Sequence, residues 1–222
     1  MKLLLTSAGI KNPSIHAALL DLLGKPIAES SALCISTSSY ALRRGPSLAW
    51  RFISGNEPET PMVELGWKSM GVLELTALPS LGEDHWVPMV RETDVILVNG
   101  GDPLYLSYWM QQSGLAALLP TLATVWVGLS AGSTVMGPRV GEAFVGWTPP
   151  TGGGDETLGL VDFAMFPHLD NKDLPWNTMA NAERWAAGLS VPGYAIDDET
   201  AIRVTDDGID VISEGQWRLF TP

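Results

Sequence analysis

The stretch VWVGLSAGSTVMG (Val125–Gly137) decides how this chain is expected to fold. An apolar run typical of a strand stops at Gly128, and a helix-like run begins at Ala131. Ser130 lies between them, with Gly128 and Gly132 two residues to either side. A G-x-S-x-G corner between a strand and a helix raises the serine hydroxyl above the sheet and points the next backbone N–H at whatever the serine attacks. We therefore predict a nucleophile at Ser130; the alternative is a Gly-rich turn in which the serine only caps the helix.

Apolar strand-like runs alternate with amphipathic segments along the first two thirds of the chain. The predicted strands are Lys2–Ala8, Ala32–Thr37, Val72–Leu78, Asp94–Asn99 and Val125–Gly128. The predicted helices are Ile15–Leu23, Pro61–Met70, Trp86–Glu92 and a long helix from Pro103 through Leu119. Such alternation is the signature of an α/β fold, with a central, mainly parallel sheet flanked by helices.

The C-terminal part has a different pattern. Short strands are predicted at Tyr194–Val204, Ile209–Ser213 and Trp217–Phe220, with hairpin-type turn residues between them. We therefore expect a mixed sheet with an antiparallel C-terminal edge. The Gly/Pro-rich segment 148–156 is the best candidate for a mobile loop.

Composition excludes several classes of function. The 25 acidic and 13 basic residues give a net charge of −12, which argues against binding to nucleic acid or to an anionic membrane surface. The opening MKLLLTSAGI is too short an apolar run for a signal peptide or a spanning helix, so a cytoplasmic location is expected. The single Cys34 is predicted to be a buried thiol. Three scattered histidines and one cysteine make a zinc site improbable, and we expect no metal and no cofactor.

Two loops of this sheet are expected to meet at one edge. Ligands of open α/β sheets bind beyond the carboxyl ends of the strands, and both NGGDP and GLSAG follow predicted strands. If those strands are neighbours, the backbone N–H of Gly100 or Gly101 and that of Ala131 converge. Two donors aimed at one point form an oxyanion hole. The alternative for Asn99–Gly101 is an ordinary tight turn into a helix.

A serine nucleophile needs a base and an acid. His168 is the only histidine that follows Ser130, whereas His16 and His85 lie in a predicted helix and a predicted loop, so His168 is the candidate base. The candidate acids all follow the serine: Asp162, Asp170, Asp173, Asp197, Asp198 and Glu199. If AIDDETAI is one strand, alternation puts Asp198 on the face opposite Asp197 and Glu199, but the residues alone do not select the acid. The order Ser–His–acid fits the α/β-hydrolases poorly.

Four segments together resemble the S51 peptidases, the family of aspartyl dipeptidase (peptidase E) and cyanophycinase. GGDPLYL (Gly100–Leu106) is similar to the family's Gly-Gly-Asn-Thr-Phe-type segment, and GLSAG to its W-S-A-G elbow, with Leu129 in place of the Trp. LGLVDFAMFPH (Leu158–His168) is similar to the family's segment that ends in Pro-His, and AIDDETAI to its late acidic strand. The four occur in the family's order and span most of the chain.

The resemblance implies a fold related to class I glutamine amidotransferases, with Ser in place of Cys, in a single peptidase domain over residues 1–222. It implies Ser130 as nucleophile, His168 as base and Asp198 as acid, with oxyanion donors from Gly101 (or Gly100) and Ala131. Asp102 stands where the family has Asn and would either hold a substrate's α-ammonium or cap the helix. Members specific for Asp bind the substrate carboxylate with an Arg, for which Arg139 and Arg184 are the candidates here.

The leading hypothesis is therefore a cytoplasmic serine exopeptidase for short peptides, including Asp-X dipeptides. The alternatives are another acyl hydrolase on the same scaffold, such as an esterase or amidase, and a non-catalytic binding protein that retains the elbow. Trp and Met residues at surface-type positions are compatible with a homodimer.

Overall fold

A computed structural model describes residues 1–150 and 152–222 of the chain; Thr151, in the segment predicted to be a mobile loop, lies outside them. The strands are β1 (Lys2–Thr6), β2 (Ser31–Ile35), β3 (Ser69–Val72), β4 (Val95–Val98), β5 (Val125–Leu129), β6 (Ala164–Phe166), β7 (Gly193–Ile196), β8 (Thr200–Thr205), β9 (Gly208–Ser213) and β10 (Trp217–Phe220). The helices are α1 (Pro13–Leu23), α2 (Gly45–Ile53), α3 (Glu83–Glu92), α4 (Pro103–Gln112), α5 (Leu115–Leu118), α6 (Ala131–Thr134) and α7 (Met179–Ala187).

A seven-stranded sheet forms the centre of the fold, in the order β3-β2-β4-β5-β1-β8-β9. The first five strands in this order are parallel, and β8 and β9 add an antiparallel edge. The predicted mixed sheet with an antiparallel C-terminal edge is thus confirmed. The strand β5 lies between β4 and β1, with Gly128 paired to Val98 and Leu129 to Thr6. The carboxyl ends of β4, β5 and β1 therefore meet at one edge.

Apolar side chains cover both faces of this sheet, as expected for buried parallel strands. All residues of β4 and β5 are buried. One core cluster contains Trp126, Ile96 and Leu5, and a second on the other face contains Val127, Leu97 and Leu4. Cys34 is buried as predicted, and burial raises the pKa of its thiol to about 12. The thiol therefore stays protonated and cannot serve as a nucleophile at neutral pH.

A second, three-stranded sheet of order β10-β7-β6 was not expected from the sequence. The strands β6 and β7 are parallel, and β10 is antiparallel to β7. Phe166 and Trp185 pack in the small core beneath it, 5.5 Å apart between ring centroids. The chain leaves β6 at Phe166, which brings His168 to the edge of this sheet.

Two predicted elements in residues 61–78 are wrong. A 3-10 turn (Val63–Leu65) and β3 replace the predicted helix Pro61–Met70, because Gly66 with φ 85° ends the turn and the indole N–H of Trp67 donates to Met62 O (2.7 Å). The predicted strand Val72–Leu78 begins where β3 ends, and residues 73–77 form no strand.

Two further predicted elements are each divided in the structure. The predicted helix through Leu119 stops at Gln112 and resumes at Leu115, because Gly114 between them has φ 82°. The predicted strand Tyr194–Val204 is two strands, β7 and β8, which belong to different sheets.

None of the helices in the described ranges is long and apolar enough to cross a membrane.

Candidate active site

Ser130 lies on a strained corner between β5 and α6. Its backbone has φ 49° and ψ −107°, a conformation that costs free energy for any residue with a side chain. The Ser130 N–H donates to Thr6 O at the end of β1 (3.0 Å), and Ser133 Oγ donates to the same oxygen (2.8 Å). The indole N–H of Trp126 donates to Gly132 O (2.9 Å) from within the core. The corner is therefore held in its strained shape by the strands on either side.

The two glycines that flank the corner leave no room for a side chain. A Cβ on Gly132 would lie 2.5 Å from Val98 O at the end of β4, and a Cβ on Gly128 would lie 2.6 Å from Ser133 N. Such approaches are shorter than real Cβ contacts, so any larger residue would displace backbone. The glycine spacing around Ser130 follows from this close packing of β4, β5 and α6.

The NGGDP loop lies directly beside the serine, as neighbouring strands require. A Cβ on Gly100 would lie 3.4 Å from Ser130 Cβ. The Gly100 N–H donates to Asn99 Oδ1 (2.8 Å), which removes it from the set of free donors. In the described part of the chain, the N–H groups of Gly101 and Ala131 make no hydrogen bond, which leaves both available to a ligand. Gly101 has φ 146°, and a Cβ on it would lie 2.4 Å from Ser38 O, so this position excludes a side chain.

His168 pairs with Asp198 beside this corner. Nδ1 of the imidazole lies 2.7 Å from Asp198 Oδ1, and the two side chains are 18% and 19% exposed. His168 also has a positive φ (57°), and its N–H donates to Ser7 Oγ (2.6 Å). Because Thr6 binds the Ser130 backbone and Ser7 binds the His168 backbone, the end of β1 holds both residues. The pairing leaves Nε2 as the ring nitrogen free to act on a hydroxyl.

Ser130 and His168 are not joined by a hydrogen bond between side chains in the described residues. Hydrogen bonds between catalytic groups are often long before substrate binds, and they tighten in the reacting complex. The absence of this hydrogen bond is therefore compatible with a base that engages the hydroxyl on substrate binding.

Asp198 lies in the tight turn between β7 and β8, so the expected strand alternation through AIDDETAI does not apply. Its second oxygen, Oδ2, accepts from Asn171 Nδ2 at 2.6 Å. Burial alone would raise the pKa of Asp198, but the hydrogen bonds from His168 and Asn171 and the charges of His168 and Lys11 outweigh burial and hold the pKa below its usual value. Asp198 is therefore ionised at neutral pH, as a partner for an imidazolium must be.

The two neighbouring acids, Asp197 and Glu199, make hydrogen bonds to groups other than His168. Asp197 Oδ1 accepts from Glu199 N (3.1 Å) and from Thr200 Oγ1 (2.7 Å), so its carboxylate shapes the turn. Glu199 Oε2 accepts from Asn12 Nδ2 (3.1 Å). Neither carboxylate can reach the imidazole without breaking these contacts.

The other predicted site residues are placed as follows. Asp102 Oδ1 accepts from the N–H groups of Leu104 and Tyr105 (both 2.9 Å), which makes Asp102 the N-cap of α4. Arg139 and Arg184 line one cavity of about 390 Å³, whose described lining includes neither Ser130 nor His168. Arg139 is engaged in a bidentate pair with Asp155 (2.7 and 3.0 Å), and Asp155 Oδ2 also accepts from Gly141 N.

We expect Asp155→Asn to lower the free energy of unfolding by about 1.5–3 kcal/mol at pH 7, because it removes the charge that accepts two hydrogen bonds from Arg139 in a partly buried ion pair. The hydrogen bond from Arg139 lowers the pKa of Asp155 more than burial raises it. A lowered pKa means that this stabilisation is complete above the unfolded pKa of about 3.9 and is lost as the pH falls through the folded pKa.

The difference between parent and Asp155→Asn in urea unfolding should therefore be smaller at pH 3 than at pH 7. An equal difference at both values would contradict this assignment. Arg139→Met should be similarly destabilised; if its peptide hydrolysis fell with no loss of stability, Arg139 would instead be a substrate-binding residue.

Three contributors to this site were not expected from the sequence: Thr6, Ser7 and Asn171. A signal existed for the first two, because KLLLTS places a polar pair directly after a buried strand, where ligand-binding residues of α/β sheets occur. No comparable signal marks Asn171, since its role depends on how the loop after His168 returns to the β7–β8 turn.

Comparison with known proteins identifies the family and the fold of this chain. The model of peptidase family S51 matches residues 63–212. The crystal structure of a "Putative Peptidase E Protein" from Listeria monocytogenes EGD-e superposes with a TM-score of 0.65 at 18% identity, over 96% of this chain and 98% of that one. A peptidase from an acI-B1 Actinobacterium gives a TM-score of 0.63 at 18% identity, over 99% and 93%. None of the curated proteins matches the chain. At this identity the two structures show a shared fold.

Proposed function

The chain belongs to peptidase family S51, and we propose that it is a serine peptidase that hydrolyses short peptides, with Asp-X dipeptides as the first substrates to test. The observation that carries this proposal is the His168–Asp198 pair at 2.7 Å, fastened through Ser7 to the same strand end that holds the strained Ser130. In this proposal residues 1–222 form a single peptidase domain.

In the proposed reaction, Ser130 Oγ attacks the peptide carbonyl carbon while Nε2 of His168 takes its proton. Asp198 holds the imidazole by Nδ1 and stabilises the imidazolium that forms. The N–H groups of Gly101 and Ala131 donate to the oxyanion of the tetrahedral intermediate. The imidazolium then gives its proton to the leaving amine as the C–N bond breaks, and a water molecule hydrolyses the acyl-enzyme by the same steps in reverse order.

Strain at both reacting residues supports this mechanism. Ser130 and His168 each have a positive φ, which is uncommon outside glycine and concentrates at functional sites. In a binding protein without catalytic activity, the two strained conformations and the ionised Asp198 would have no chemical role.

The experiment that tests this function is a fluorophosphonate probe followed by a dipeptide panel. Covalent labelling at Ser130 separates a catalytic serine from a binding protein. Hydrolysis of dipeptides, compared with hydrolysis of matched esters and simple amides, then separates a peptidase from an esterase or amidase. Absence of labelling and of hydrolysis would overturn the proposal.

Asp198 is expected to be the acid, and three matched variants test it. Asp198→Asn should lower turnover by about 10⁴-fold or somewhat less, because the imidazole loses its charged partner and its tautomer is no longer fixed. Asp197→Asn should weaken the β7–β8 turn with little change in turnover, since its carboxylate binds turn atoms. Glu199→Gln should also have little effect. Turnover and thermal stability measured side by side decide the matter; the assignment fails if Asp198→Asn is the mildest of the three.

A further inference from the structure

A cavity of about 180 Å³ lies beside Ser130 at the carboxyl edge of the seven-stranded sheet. Gly100, which neighbours the serine, forms one wall, and Glu57 and Thr60 form another. Leu42 and Leu48 contribute apolar surface. The cavity therefore adjoins the loop that carries Gly101, one of the two proposed oxyanion donors.

The segment 57–61 lies at the same edge of the sheet, beside the loop that follows β1. Its Pro61 O accepts from Ile10 N (2.9 Å), and a Cβ on Gly9 would lie 2.9 Å from the same oxygen. Gly9 follows β1, whereas Gly100 follows β4, and β5 lies between these two strands. The segment therefore contacts the loop after β1 and lines a cavity together with the loop after β4, which places Glu57 near Gly100, the neighbour of Ser130.

Glu57 is the one charged residue in the described lining of this cavity. Its Oε2 accepts from Arg51 Nη2 (2.8 Å), while in the described chain Oε1 makes no hydrogen bond. The pair lies at the surface, with the Arg51 side chain 51% exposed, and such pairs contribute little. The pair with Arg51 therefore leaves one carboxylate oxygen of Glu57 available to a cation.

We propose that Glu57 binds an ammonium group of the substrate residue on the acyl side of the scissile bond. This inference rests on the proposed peptidase function and names a specificity residue for it. Asp102, the other acid considered for that role, caps α4 through Oδ1, is only 6% exposed and does not line this cavity. The ammonium is either the α-amino group of a short peptide or the end of a lysine-like side chain, whose apolar stem suits Leu42 and Leu48.

Binding measured without hydrolysis tests this inference. In a Ser130→Ala background, titration calorimetry compares Leu-Ala, N-acetyl-Leu-Ala and N-acetyl-Lys-Ala. At least one of the two peptides with an ammonium group should bind about tenfold or more tightly than N-acetyl-Leu-Ala, and Glu57→Gln should remove that advantage. Preference for Leu-Ala identifies the α-amino group, and preference for N-acetyl-Lys-Ala identifies the side chain.

Two controls separate this role from a structural one. Glu59→Gln, in an exposed residue of the same segment, should leave binding unchanged. Arg51→Met should leave the ammonium preference in place; if it weakened binding as much as Glu57→Gln does, Glu57 would only anchor the segment and the inference would be overturned. Equal binding of all three peptides, or none, would also overturn it. Ammonium-dependent binding with no hydrolysis by the parent would support this inference and overturn the proposed function.

Discussion

Replacement of Ser130 by alanine is expected to lower peptide turnover on the order of 10⁶-fold, the typical cost of removing the nucleophile of a triad. The residual rate would come from substrate binding and from the oxyanion donors, which the change leaves in place. The fold should survive, because the contact that fastens this corner is made by the backbone N–H of Ser130 and not by its hydroxyl. Steady-state kinetics and thermal unfolding, measured on the same preparation, check both parts.

Ser133 provides a matched control for this prediction. Its hydroxyl lies one helical turn further on and donates to Thr6 O (2.8 Å), which gives it a structural contact at the same strand end. Ser133→Ala should lose stability and keep fluorophosphonate labelling, whereas Ser130→Ala should keep stability and lose labelling. Near-normal turnover in Ser130→Ala would end the hypothesis of a serine nucleophile.

The central sheet was predictable because its signals are local. Apolar runs such as DVILVN and VWVGL read as buried strands, and the glycine spacing around Ser130 reflects backbone contacts within a few residues of the corner. The antiparallel edge followed from turn residues between short strands. These features depend on residues that are close together along the chain, and a single sequence shows such local patterns directly.

The features that were missed depend on contacts distant in sequence. AIDDETAI reads as one strand, yet β7 pairs with β6 and β10 while β8 pairs with β1 and β9, and no local pattern shows a change of sheet. The residues alone did not select among Asp197, Asp198 and Glu199, although the resemblance named Asp198, because the contact of Asp198 with His168 depends on the turn formed by that change. The sequence did not indicate the ion pair between Arg139 and Asp155 either, because the two residues are 16 positions apart in the chain.

Replacement of His168 is expected to lower turnover as much as replacement of Ser130 does. His168→Asn is expected to reduce turnover on the order of 10⁶-fold, since the members of a triad act as a unit. Asparagine is the preferred replacement because His168 has φ 57°, and asparagine tolerates positive φ better than alanine does. The loss can then be attributed to the imidazole and not to backbone strain. His85→Ala, in an exposed residue at the start of α3, should stay within a few-fold of the parent.

A histidine that acts as the base and a histidine with only a structural role have different effects on the reactivity of the Ser130 hydroxyl. A base raises the nucleophilicity of the hydroxyl, so His168→Asn should slow fluorophosphonate labelling of Ser130 by orders of magnitude while the protein remains folded. A histidine that only joined Ser7 to Asp198 would instead lower thermal stability and leave the labelling rate of the folded fraction unchanged. Labelling at the parental rate in His168→Asn, or an inactive His85→Ala, would show that the base had been assigned to the wrong residue.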